Sequence, residues 1–223
     1  MPIDVAFDLT LDHGRCVGLR LPDLAAAIDE LAERLLPSER EIAAGLAHVR
    51  RRTWVGGRAA MREALRRAGL EAPAVLSDPR GAPVLPRGIA GSISHKTWLA
   101  VAIVAREPVA RLGVDVEEDV LGSIDISRRV LAADELDELA TMAPEPRARE
   151  VLLRFSAKEA LYKALDPFVQ RYVAFKEVSL SPQPDGSARV LLQLTGGEGP
   201  FHVDIHWQRL ASLVITSARV TPG

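Results

Sequence analysis

The sequence predicts a mixed α+β fold built as two halves of similar outline. Three observations carry that expectation. In each half, strand-like segments flank a helical stretch; no low-complexity linker separates the halves; and 223 residues exceed the roughly 150 typical of one domain. The division is placed at 108/109, giving subdomains 1–108 and 109–223. A chain this long buries about 70% of the surface its unfolded state exposes, so it needs no covalent staple.

The elements follow in order. Ile3 to Leu11 and Arg15 to Leu21 are apolar-rich and joined by Asp12-His13-Gly14, the pattern of a hairpin. Leu24, Ile28, Leu31 and Leu35 share one helical face, and Pro37-Ser38 ends that helix. Ser38 and Glu41 stand in capping-box spacing for the next helix, which runs past Met61 and Leu65 to Gly69. Residues 72–91 are rich in Pro and Gly and read as loop. Ser92 to His95, Leu99 to Ala105 and Leu112 to Glu117 read as strands. Ile126 to Met142 is helical in two pieces. A long helix spans Arg147 to Leu165 and ends before Pro167. Four strands close the chain: Phe175 to Leu180, Ala188 to Leu194, Phe201 to Trp207 and Leu213 to Ala218, with a turn at Asp185-Gly186.

Composition excludes several classes. Hydrophobic residues make up 48% and charged residues 26%, which excludes a disordered or collagen-like chain. The longest apolar runs, such as Trp98 to Ala105, fall far short of the ~20 residues of a membrane helix. Asp4 and Asp8, with no basic residues around them, argue against a signal peptide. A lone cysteine, Cys16, allows no intrachain disulfide, so a cytoplasmic protein is expected. Aromatics are only 4%, too few for a base-stacking platform, so nucleic acid is not an expected partner. Residues 48–111 hold twelve Lys and Arg against four acids, and residues 112–159 six against twelve. Opposed blocks of this kind suit a protein that holds a polyanion and a cation together. Of 28 basic residues only four are Lys (Lys96, Lys158, Lys163, Lys176), and two of these share one short segment.

Five constellations carry the candidate chemistry. Asp115-Val116-Glu117 places two carboxylates on one face of a strand while Val114 and Val116 face the core. Adjacent carboxylates stay ionised most easily around a cation, and oxygen ligands favour magnesium. The plain alternative is the solvent face of an edge strand. In Phe155-Ser156-Ala157-Lys158-Glu159-Ala160-Leu161-Tyr162-Lys163, Glu159 and Lys163 share a helical face. Glu159 is a candidate third carboxylate and Lys163 a candidate phosphate partner, against an ordinary surface pair worth roughly 0.3–0.5 kcal/mol. Gly91-Ser92-Ile93-Ser94-His95 brings a hydroxyl and an imidazole to a strand tip, where both suit phosphate. A Ser-His hydrolase is disfavoured, because strand neighbours point to opposite faces and no Gly-x-Ser-x-Gly elbow is present. Arg50 and Arg58, eight residues apart on the arginine-rich helix, face one anion if the helix is continuous. His202, Asp204 and His206 share a strand face; a solvent-facing surface is expected there, with zinc as the alternative.

The order and spacing of Gly-Ser-Ile-Ser-His, Leu-Gly-Val-Asp-Val-Glu and Phe-Ser-Ala-Lys-Glu-Ala-Leu-Tyr-Lys resemble the 4'-phosphopantetheinyl transferases, over roughly Arg50 to Phe175. The arginine-rich helix and the Ser-His strand resemble the enterobactin-synthetase-associated branch. The resemblance implies a pseudo-dimer of two similar α/β subdomains, with coenzyme A bound at their interface and a monomeric chain. It implies transfer of the phosphopantetheine arm of coenzyme A to a serine of an apo acyl or peptidyl carrier protein, with release of adenosine 3',5'-bisphosphate. By motif, Asp115, Glu117 and Glu159 hold magnesium (or manganese), with Glu159 the candidate base, directly or through water. Lys163 neutralises phosphate charge with Lys158 beside it; Ser94 and His95 contact a coenzyme A phosphate; Arg50, Arg58 and Arg80 serve the nucleotide end. Arg128 and Arg129, or the Arg171 region, are candidate carrier contacts. Three positions depart from the family pattern: Leu85 where Trp is common, Lys96 where a small residue is common, and Asp166 before Pro167. The rival readings are a magnesium-dependent phosphohydrolase or nuclease using the same carboxylates, and a non-catalytic binder of coenzyme A or nucleotide.

Overall fold

The computed structural model describes residues 3–120 and 125–223. The backbone divides into two compact units, Met1–Val109 and Ala110–Gly223. Among the described residues no helix is long and apolar enough to cross a membrane.

In the first unit a hairpin, β1 (Val5–Leu11) and β2 (Gly14–Arg20), precedes three helices: α1 (Ala25–Ala32), α2 (Pro37–Ala44) and α3 (His48–Arg67). β3 (Ile89–His95) and β4 (Leu99–Arg106) complete an antiparallel sheet of order β1-β2-β4-β3. Register places Leu19, Ala100 and His95 in one cross-strand row and Val17, Ala102 and Ile93 in the next. The apolar members of these rows form one core with Val55, Ala59 and other α3 residues. Glycines let α3 approach: a Cβ on Gly57 would lie 2.9 Å from Ile93 Cγ2.

Three helix features differ from expectation. The one helix expected from Ser38 to Gly69 is two, α2 and α3, parted where Gly45, a poor helix former, caps α2. The carboxylate that accepts the Leu36 N–H at the start of α2 is Glu39, at 2.8 Å, not Glu41. Pro37 takes the first helical position, where its missing N–H costs nothing, and this sets the frame two residues earlier. Glu39 is fully buried and also accepts both Arg62 forks (2.8 and 2.7 Å) and the Val75 N–H (2.7 Å).

The second unit contains β5 (Arg111–Glu118), α4 (Ser127–Val130), α5 (Ala133–Glu138), α6 (Pro144–Val169) and a 3-10 turn (Phe175–Glu177). Strands β6 (Val178–Pro182), β7 (Ala188–Leu192), β8 (Phe201–Leu210) and β9 (Leu213–Pro222) follow. They form a sheet of order β5-β9-β8 and a two-stranded sheet β6-β7, joined by one bridge between Ser187 and His206. α6 lies across β5 and β9, so each unit lays its longest helix on an antiparallel sheet. α6 does not stop before Pro167 but carries it inside the last turn and ends with Gln170 in the left-handed region. A proline there removes only one backbone bond, and the Gln170 N–H still reaches the Asp166 carbonyl at 2.9 Å. On β8, Ile205 is buried while His202 and Asp204 are exposed, as the alternation predicts.

The loop after α6 is clamped by charge. Arg171 donates to both Glu177 oxygens (3.0 and 2.7 Å) and both Glu198 oxygens (2.5 and 3.1 Å). Its guanidinium is thus committed internally, which removes it as a candidate carrier contact. The Arg171 fork, with the Thr195 and Ala174 N–H groups, holds the Glu177 carboxyl down at about 2, against an ordinary 4.5. A depressed carboxyl stabilises the fold above its unfolded value and ceases to do so as pH falls through its folded value. Stability is therefore expected to fall between about pH 4.5 and pH 2, and Glu177→Gln should remove much of that slope. Melting temperature against pH for both proteins checks this; parallel curves would contradict it.

Candidate active site

Burial on β5 runs unbroken from Leu112 to Val116, so Asp115 is no solvent-face residue: it is 5% exposed, on the strand face that α6 covers. Gly113 makes the contact close, since a Cβ there would sit 1.8 Å from the Ala160 carbonyl oxygen. Two residues on, Asp115 meets the same helix. Its Oδ1 accepts from Lys163 Nζ at 2.8 Å and its Oδ2 from Ser156 Oγ at 3.0 Å. Ser156 and Lys163 are i and i+7, two turns apart on one face. Thr216 of β9, opposite Asp115 in the register, bonds Ser156 Oγ at 2.9 Å and closes the buried cluster. Lys163 also donates to the Val114 carbonyl at 2.8 Å and is about a quarter exposed. Asp115 is therefore fixed in place by a hydroxyl and an ammonium.

Glu117 continues the Asp115 face of β5 and is half-buried. Glu159 lies on α6 between the Ser156–Lys163 face and Tyr162 and is half-buried. The carboxylate oxygens of Asp115, Glu117 and Glu159 do not all lie within 4.8 Å of one another. Beside Glu159 is a narrow cleft of about 20 Å³, lined by Lys158, Tyr162, Leu165, Tyr172, Val173 and Phe175 among others. The Tyr162 and Tyr172 rings stand 6.0 Å apart across it.

Lys158 does not join Lys163. It lies about 140° round the helix from it, is 2% exposed, and bonds Val130 O (2.9 Å), Glu135 Oε2 (2.5 Å) and Phe175 O (3.1 Å). Its ammonium is turned into the protein, away from the Asp115 cluster.

The first unit gathers the basic candidates. Arg58 is 4% exposed, stacks over Trp54 at 4.6 Å and donates from Nη2 to Ser77 Oγ at 2.6 Å. Its Nε is buried without a hydrogen-bond partner. Burial first, opposed by the charge of Glu39 and aided by that of Arg50, lowers its pKa to about 10, so Arg58 stays charged at neutral pH. Arg50 is exposed. Ser77 begins a tight hairpin, bridged to Pro83, whose tip is Asp78-Pro79-Arg80-Gly81. Asp78 Oδ1 accepts the Arg80 and Ala82 N–H groups, both at 2.9 Å, and Gly81 takes φ +92°, which favours glycine. Arg80 is thereby presented, exposed, on a hairpin that Arg58 anchors. His95 is exposed on the α3 face of the sheet, whereas Ser94 is buried on the opposite face. The two side chains leave the strand in opposite directions and do not converge as expected.

The chain matches the 4'-phosphopantetheinyl transferase N-terminal domain over residues 38–105 and the 4'-phosphopantetheinyl transferase superfamily over residues 111–218. The 4'-phosphopantetheinyl transferase Svp of Streptomyces mobaraensis is 31% identical over 201 residues, covering 87% of this chain and 82% of that protein. Npt of Nocardia iowensis is 32% identical over 171 residues, covering 76% and 73%. This chain belongs to the 4'-phosphopantetheinyl transferase superfamily. Enterobactin synthase component D of Salmonella typhimurium is 35% identical over 113 residues, 49% of this chain and 46% of that protein. The transferase is accordingly an enzyme.

Sequence reasoning missed four contributors to these clusters. Ser156 lay inside a quoted motif, and its i, i+7 relation to Lys163 was readable. Trp54 stands at i−4 from Arg58, also readable. Thr216 and Ser77 are brought in by long-range packing that no local pattern encodes.

Proposed function

We propose that the transferase moves the 4'-phosphopantetheine arm of coenzyme A to a serine of an apo acyl or peptidyl carrier protein, in a magnesium-dependent reaction. The other product is adenosine 3',5'-bisphosphate, and the carriers served belong to polyketide, nonribosomal-peptide or siderophore synthases. The observation that carries this reading is Asp115, buried and fixed by Lys163 and Ser156 on the same helix that presents Glu159 beside an apolar cleft.

Asp115, Glu117 and Glu159 offer only carboxylate oxygens, the donor set of magnesium or manganese, and the pinned Asp115 carboxyl group fits a cation site. When bound, the ion neutralises charge on the diphosphate. The chain's own residues do the rest. The serine oxygen bonds to the phosphorus bearing the pantetheine arm while the bond from that phosphorus to the bridging oxygen breaks. The serine proton passes to Glu159, directly or through water. Lys163 spends two N–H groups on Val114 and Asp115, and among the described residues the third is left for a phosphate oxygen. At an effective dielectric near 20, two unit charges 4 Å apart interact by about 4 kcal/mol, so a few cations outweigh the repulsion between nucleophile and diphosphate. The apolar lining of Tyr162, Leu165 and Phe175 suits the amphiphilic pantetheine arm, for which the narrow cleft must widen. Arg50, Arg58, Arg80 and His95 take the nucleotide phosphates.

Purified protein incubated with coenzyme A, Mg²⁺ and several apo carriers should add one phosphopantetheine arm per carrier, read by intact mass. No modified carrier would overturn the proposal, and release of nucleotide without a carrier would point to a hydrolase. Arg58→Met should weaken coenzyme A binding about 10–100-fold, the loss of a charge-assisted contact. Calorimetric titration checks this; an unchanged Kd would remove Arg58 from the site.

A further inference from the structure

We infer that Lys158, although adjacent to Glu159, is a positioning residue rather than a phosphate ligand: with buried Glu135 it fixes the wall of the cleft that takes the pantetheine arm. This inference rests on the function proposed above.

The three N–H groups of the Lys158 ammonium meet three acceptors, Val130 O, Glu135 Oε2 and Phe175 O, so none remains for substrate. Both partners of the Lys158–Glu135 pair are 1% exposed. Glu135 is equally committed: Oε2 also accepts the Ala132 N–H at 2.7 Å, and Oε1 accepts the Leu180 N–H at 3.0 Å. One turn earlier Arg154, also 1% exposed, pairs with Glu138 at 3.0 Å, and Asp134 accepts Ser179 Oγ at 2.9 Å. These bonds fasten α5 to α6 and β6. The bond to Phe175 matters for the site. Glu159 and Tyr162 form one wall of the cleft, and Tyr172 to Phe175 form the other. Lys158 ties the second wall to the helix that carries the first. The Phe175 ring adds to the tie, packing on Phe155 at 5.7 Å.

A buried ion pair used as a staple has a property that a phosphate ligand lacks. Removing one charge leaves the other buried and unpaired, which is costly, whereas replacing both by apolar groups of similar size is often neutral. Lys158→Met, Glu135→Leu and the double variant should therefore be compared with wild type in carrier modification, well below each melting temperature. Both single variants should raise KM for coenzyme A at least tenfold, with kcat changed less than threefold. The double variant should regain part of the lost melting temperature, since no buried charge is left unpaired, but its KM should stay within about threefold of the worse single variant, because both substitutions cut the same tie to Phe175 and β6.

A double variant whose rise in KM is the product of the two single rises would overturn the inference, because residues that hold one tie do not act independently. So would a Glu135→Leu variant with unchanged KM, because only a lysine needed at the substrate would behave so. If a single variant does not fold, Glu135→Gln, which keeps the shape and loses the charge, decides in its place: a raised KM supports the inference and an unchanged KM overturns it. An inactive wild type would instead overturn the proposed function, which separates the two failures.

Discussion

Glu159→Gln is expected to lower carrier modification by about 10²–10⁴-fold, the range a positioned acid–base group supplies, while leaving the melting temperature within a degree or two of wild type. Glu159 is half-buried and lines the cleft. Glutamine keeps its size and loses both the proton acceptor and the anion. Asp115→Asn should behave differently. It weakens the bonds from Lys163 and Ser156 and should lose stability as well as activity. Steady-state kinetics with a calorimetric melt for each variant separates the two. A glutamine variant retaining more than a tenth of wild-type turnover would remove Glu159 from catalysis.

Gly113→Ala should be the most damaging single methyl in the second unit. The new Cβ would stand 1.8 Å from the Ala160 carbonyl oxygen and 2.7 Å from its carbon, both backbone atoms with no rotamer to yield. α6 must lift off β5, an overpacking cost of about 3 kcal/mol, which for a chain of this size is a melting shift of roughly 6–12 °C. Activity should fall further than stability predicts. Asp115 lies two residues away, and a displacement of about 1 Å in a reacting constellation costs on the order of 10²-fold. Activity of the folded variant at low temperature checks this; full activity there would show that helix height does not set the site.

Much of this architecture was legible because periodicity reports which face is apolar. The hairpin at Asp12-Gly14, the helix through Leu65, the strands around Val101 and Val116 and the alternation of β8 all follow from it. Helix ends were less legible. Pro37 shifted the α2 cap from Glu41 to Glu39, and Pro167 failed to stop α6 because only one backbone bond was at stake. Strand alternation placed Asp115 beside Glu117 on one face but suggested solvent there. The clue was Gly113, whose missing side chain admits a helix over the carboxylate. Lys158 was misread by its neighbourhood in sequence, although the helical angle already separated it from Lys163. Its partner Glu135 comes from another helix, and such pairings are fixed by tertiary packing alone.

Manganese binding tests the central claim most directly. Titrating Mn²⁺ into the transferase with coenzyme A present, followed by electron paramagnetic resonance, should show one bound ion per chain. Asp115→Asn and Glu159→Gln should each weaken that binding at least tenfold. Wild-type affinity retained in both variants would contradict a site built from carboxylates of β5 and α6.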